Sequence, residues 1–235
     1  MFLFFQISTI FCPVFRILLC LSSFVCFTQK AKMPVGSDFS KQTQVKAITE
    51  ISDDDWRLLI DAVQVENWGK SASLAVGYLT KIKTENSKKQ IARLRYILLY
   101  ALAGKTVEAS FADKKLEETK ARIQLEKAAN EFLGKEFFMP SREVSLDCGD
   151  KLNYVCRSKQ QRNVLRVTAT NHTATAIYSF EYVRLKENFN TTQNAGKEVI
   201  LSGILNKIEF NPTKSNVWIM RLFFENGSIN VVPDI

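Results

Sequence analysis

This chain predicts an α+β fold: an N-terminal antiparallel helical bundle of about four helices, then a C-terminal antiparallel β-barrel or sandwich of about seven strands. Three observations carry that reading. Apolar residues recur at helical spacing between Ser52 and Gly134, the rhythm becomes an alternation of period two after Met139-Pro140, and residues 197–232 read as three strands in a row. The implied organisation is an apolar leader at 1–32, a polar segment at 33–51, a helical domain at 52–135 and an antiparallel β domain at 136–235.

The leader is apolar enough and long enough to enter a membrane, as a signal peptide or an anchor. It has no positive charge before Arg16, and both Pro13 and Arg16 fall inside the apolar run, where a central arginine costs about 2.5–3.5 kcal/mol. The competing start is Met33, followed by a polar PVGSDFSKQTQ. A chain beginning there is expected in the cytoplasm, and one that keeps the leader is expected to be secreted or membrane-anchored. Part of the formal charge of +8 belongs to the leader, which holds Arg16, Lys30 and Lys32 and no acid. The smaller excess elsewhere permits an anionic partner without requiring one.

Ser52 followed by Asp53, Asp54 and Asp55 places a capping oxygen and three acids at the positive end of a first helix, with Trp56, Leu59, Ile60 and Val63 on its apolar face. A second helix spans about 70–84 and presents Leu74, Tyr78 and Ile82. A third begins at Ser87, presents Ile91, Leu94, Ile97, Leu98, Ala101 and Leu102, and is closed by Gly104. The fourth spans about 113–133, with Ala121, Leu125, Ala128 and Phe132 on its better stripe. Residues 68–104 resemble one tetratricopeptide-type helical pair, on Leu74, Ala75 and Tyr78, without the regular repeat of that family.

Candidate strands follow at 143–147, 151–157, 164–170, 175–186, 197–210, 217–225 and 228–232. Asn226-Gly227 separates the last two and suits a type I′ turn, so a tight hairpin is expected there. In the stretch 175–186, Ala176, Tyr178, Phe180 and Tyr182 fall on one side, with Ile177, Ser179, Glu181, Val183 and Leu185 on the other. Trp218 opens a second strand that is apolar on both faces, and strands of that kind are ordinarily covered on both sides.

Residues 197–232, a long strand broken by Gly203 and followed by a hairpin, resemble the opening meander of an oligonucleotide/oligosaccharide-binding fold over about 36 residues. That resemblance implies single-stranded nucleic acid as a ligand. Tyr178, Tyr182 and Trp218 would then offer flat faces to bases, and the basic residues Arg157, Lys159, Arg162 and Arg166 would meet phosphates.

Groupings that support catalysis are sparse. His172 is the single histidine, which excludes a multi-histidine zinc site, and no metal or cofactor is expected. Cys148 and Cys156 have no histidine beside them and read as unpaired thiols, with a disulfide between them as the alternative. Gly104-Lys105-Thr106 lacks the earlier glycine of a phosphate-binding loop. Glycosylation sequons at Asn171, Asn190 and Asn226 are no more than chance provides and do not show export. The expectation is a non-catalytic binding or interaction protein, not an enzyme, that meets a protein partner through residues 157–162, 211–216 or the charged helix 114–127. Single-stranded nucleic-acid binding, or an exported or membrane-tethered ligand-binding module, is the alternative, with membrane contact only if the leader is retained.

Overall fold

The computed structural model describes residues 50–82, 87–147, 149, 151–158, 161, 163–213 and 218–233, all within one compact unit, Gln44–Ile235. The leader, the polar segment as far as residue 49, Cys148, Lys159 and Arg162 lie outside the described residues.

Four helices come first, as the periodicity predicts: α1 (Asp53–Gln64), α2 (Trp68–Lys81), α3 (Lys88–Phe111) and α4 (Lys115–Glu131). Ser52 caps α1 by accepting the Asp55 N–H at 3.2 Å, which satisfies one of the orphan donors of the first turn. Each helix packs on its neighbour in sequence, and α3 also packs on the sheet. Buried side chains surround α3 on every side, from Ala92 through Leu99 and Leu102 to Val107 and Ala109, the pattern of a central helix. Gly104 does not close it. The helix runs on to Phe111 because Gly104 makes room for a neighbour: the Trp68 indole fills the space a Cβ would take. Among the described residues no helix is long and apolar enough to cross a membrane.

Seven strands follow: β1 (Glu136–Phe138), β2 (Arg142–Glu143), β3 (Val155–Arg157), β4 (Val164–Thr170), β5 (Ile177–Leu185), β6 (Glu198–Phe210) and β7 (Trp218–Val231). They form a single sheet in the order β1-β6-β7-β5-β4-β3, with β2 also on β6. This corrects the expected antiparallel barrel or sandwich. The sheet is mixed, since β7 lies parallel to β5, and it is open: among the described residues its two ends meet at no more than an isolated bridge between Val144 and Val155. The cause is the connection 186–197, which is long enough to carry the chain past one strand position. β6 is therefore laid one place out, and β7 returns into the gap. A closed OB-like barrel is overturned by the same connectivity.

The expected hairpin at Asn226-Gly227 is also corrected. β7 runs straight through it, flanked by β5 and β6, and no room is left for a returning strand. Asn226 adopts the left-handed backbone (φ 54°), yet the outcome is a bulge. Against β6, and again against β5, β7 carries one extra residue at this point. Gly227 is needed because a Cβ there would stand 3.0 Å from the Arg184 carbonyl oxygen and closer still to Val183. Helices and sheet share one core in which Phe137 bridges Phe132, at the end of α4, and Phe224 of β7, with ring centroids 6.0 and 5.5 Å away.

Gly104→Ala is expected to lower stability by about 1–3 kcal/mol through overpacking against Trp68. Gly77→Ala on α2, where nothing lies within 4 Å of the added Cβ, should be neutral or stabilising by up to about 1 kcal/mol. Urea denaturation of both variants checks this, and equal effects at the two positions would contradict the packing account.

Candidate ligand pocket

A cavity of about 440 Å³ lies between the helices and the sheet, within the range of a few hundred Å³ that holds small molecules. Helical spacing builds one side of it. α1 contributes Trp56, Ile60 and Val63, and α3 contributes Arg93, Tyr96, Ile97 and Tyr100, a stripe at i, i+3, i+4 and i+7. The sheet side is Phe138 and Met139 at the end of β1, Arg142 on β2, Ala169 and Thr170 at the end of β4, Tyr178 on β5 and Ile200 on β6. Trp68 meets Tyr178 edge to face, with centroids 5.5 Å apart. At the rim, the Glu66 carboxylate accepts the His172 backbone N–H at 2.7 Å, which ties the β4–β5 turn to the α1–α2 turn.

Behind the aromatic wall sits a buried polar network centred on Glu181. This carboxylate has no accessible surface. Its Oε1 accepts from Tyr96 at 2.8 Å, from Ser179 at 3.2 Å and from Tyr100, and the Tyr100 and Ser179 hydroxyls also touch each other. Its Oε2 has no partner among the described residues. Arg142 joins the network by donating Nη2 to the Tyr96 hydroxyl at 2.9 Å and Nη1 to Asn153 Oδ1 at 3.0 Å. Asn153 is itself fixed, donating to Thr170 Oγ1 and accepting the Thr170 N–H. Arg142 Nε has no partner among the described residues. Arg142 as a whole is half-buried and lines the pocket, with its Nε enclosed by protein.

Burial, reinforced by the Glu181 charge, raises the Tyr96 and Tyr100 hydroxyls far above the usual tyrosine value. Burial lowers Arg142, but the neighbouring Tyr96, Glu181 and Tyr100 outweigh it and the guanidinium stays charged. Tyr178 is raised by burial and then by the Glu66 charge.

Of the sequence-predicted binding residues, Arg166, Tyr182 and Trp218 come together on the sheet face turned away from Glu181, and Tyr178 does not. A register irregularity between β4 and β5 at this point breaks the alternation, so Tyr178 faces the helices, packed against Trp68 and Tyr100. Arg157 is exposed and donates to the Phe189 carbonyl at 3.0 Å. On the outer face two rows cross four strands: Arg166, Tyr182, Phe223 and Lys207, then Thr168, Phe180, Arg221 and Glu209. The rings there are only half-buried, yet their faces are covered. Arg166 lies over Phe180 at 5.6 Å, Arg221 over Trp218 at 4.6 Å and Lys207 over Phe223 at 5.5 Å, and Tyr182 stacks on Phe223 at 5.1 Å. Glu209 pairs with both Lys207 and Arg221, at 2.7 and 3.6 Å, and its hydrogen bond from Lys207 holds its carboxyl below the usual value.

Periodicity did not single out Arg93, Tyr96, Tyr100, Arg142 or Glu181. One signal was present: Glu181 and Ser179 share a strand face with Val183 and Leu185, and a carboxylate on an apolar face needs buried donors. The free-thiol expectation for Cys156 is corrected as well, since Cys156 is buried and disulfide-bonded.

The raised tyrosines give a sign for alkaline stability. Below about pH 10 these hydroxyls are protonated in both folded and unfolded chains, and their contribution is fully present. Above it the unfolded chain releases protons that the folded chain keeps, so stability falls as pH rises. Phenolate absorbance should therefore rise in two phases, the second coinciding with loss of the circular dichroism signal. A single phase complete in the folded protein would contradict the buried network.

Comparison with protein-family models, with curated proteins and with solved structures returns no match to this chain.

Proposed function

We propose that this chain is a non-catalytic binding protein whose pocket between α1, α3 and the sheet receives a small, largely apolar molecule. The observation that carries the reading is the aromatic lining of a cavity of about 440 Å³, with few polar groups and those already anchored. Trp56, Trp68, Tyr96, Tyr100, Phe138 and Tyr178 offer ring surface from both layers. Two hydrogen bonds fix Arg142, and three hydroxyl donors hold the carboxylate behind the wall, so the site is formed before a ligand arrives.

The rival surfaces gain less support. Base stacking on the outer sheet face would have to displace cations that cover its rings, which weakens the nucleic-acid reading. Along α4 and its N-cap some of the charges pair among themselves, Lys114 with Glu117, Arg122 with Glu118 and Lys127 with Glu131, which leaves fewer to attract a protein partner. The disulfide at Cys156 supports an oxidising compartment over the cytoplasm. Peptide mapping after alkylation in denaturant without reduction should show the Cys156 peptide unmodified; an alkylated Cys156 in protein isolated from its natural source would reverse that placement.

For the pocket, titration with N-phenyl-1-naphthylamine, a neutral aromatic probe, should give saturable fluorescence in the micromolar range. Ile97→Trp, which fills the cavity from the α3 stripe, should weaken binding about tenfold or more, and probe recovered from the protein should be chemically unchanged. Non-saturable fluorescence, or binding indifferent to Ile97→Trp, would remove the pocket as the site.

A further inference from the structure

We infer that the natural ligand of this pocket carries a carboxylate on its apolar body and that Arg142, assisted by Arg93, receives it; the inference rests on the pocket reading above. Arg142 has five N–H donors in a rigid fork, of which the protein engages Nη1 and Nη2 with one acceptor each and leaves Nε with none. Its orientation is set before binding, because Asn153 and Tyr96 hold it from two sides. Nε is closed off by protein, so the second N–H of each Nη is what a carboxylate in the pocket would meet.

Arg93 adds a second positive charge from the stripe that supplies Tyr96 and Ile97. Its guanidinium lies 4.8 Å over the Phe138 ring and has no ion-pair partner among the described residues. Among the described residues no carboxylate pairs directly with Arg142 or Arg93, and Glu181 reaches Arg142 through the Tyr96 hydroxyl. Glu66, which lines the pocket, is engaged by the His172 N–H. Glu181 has no surface on the pocket, and its accepting oxygen is filled by three hydroxyls. The pocket thus presents unspent cationic donors beside aromatic walls, which suits an aryl or branched-chain carboxylic acid.

Isothermal titration of the wild-type protein at neutral pH with 2-naphthylacetic acid, its primary amide and 2-(2-naphthyl)ethylamine tests this. The acid should bind about 10- to 100-fold more tightly than the amide, and the amine most weakly. Arg142→Lys should remove most of that preference, so that the acid loses far more affinity than the amide. Arg93→Gln, outside the buried network, should weaken the acid several-fold more than the amide, and it serves if the Arg142 variant does not fold. Equal binding of acid and amide, or tighter binding of the amine, overturns the carboxylate inference and leaves the pocket reading standing. No binding of any of the three compounds overturns both.

Discussion

Glu181 stands in the middle of a β-strand with no accessible surface, and a carboxylate can occupy such a place only if donors converge on it. They come from two layers. Ser179 is on the same strand, Tyr96 and Tyr100 are one turn apart on α3, and Arg142 reaches the group through the Tyr96 hydroxyl. Because Tyr96 and Tyr100 must both reach one oxygen, the rotation of α3 about its axis is fixed against β5. The same rotation aims Arg93 and Ile97 at the cavity. Taking away one member of such a set leaves charge and hydroxyls stranded, at a cost of about 3–5 kcal/mol for a buried pair.

The sheet that carries Glu181 is shaped by single-residue irregularities. Asn226 is an extra residue in β7 against both neighbours, and Asn206 is one in β6 against β7. Each locally increases twist and re-aims the side chains beyond it. At Tyr178 the irregularity has a direct consequence for the pocket, since it turns this ring toward Trp68 and Tyr100 while Phe180 and Tyr182 stay on the outer face. Gly104 and Gly227 serve the same packing from the backbone side. One admits the Trp68 indole into α3, and the other lets β7 pass close to Val183 and Arg184.

Aromatic residues are used in two opposite ways in this molecule. On the outer face they alternate with arginine and lysine across four strands, so that cations cover the rings and Glu209 neutralises two of the cations. That surface is largely self-satisfied. On the inner side the rings pack on one another along the wall of a cavity, Tyr96 stacked on Tyr100 with centroids 4.3 Å apart and Trp68 edge-on to Tyr178, and the polar groups between them are anchored to the frame. A binding role accords better with rings that line a cavity than with rings spread on an open face under cations.

Elements whose causes are local were legible in the amino-acid order. The Ser52 cap with its three aspartates, the stripe Trp56, Leu59, Ile60 and Val63, and the alternation along 164–170 and 197–210 depend on neighbours two to four residues away, and the helices and strands are found there. Asn226-Gly227 and Gly104 misled because each has two local meanings. Asn-Gly serves a hairpin or a bulge, and glycine ends a helix or admits a neighbour; the choice was made by β5, β6 and Trp68, which lie far off in the chain. The pocket was not legible for the same reason. Arg93 and Arg142 are ordinary in their own segments, Glu181 stands out only as a carboxylate on an apolar strand face, and they acquire a shared chemistry when packing removes water from between α3 and the sheet, so that polar groups find partners in other elements.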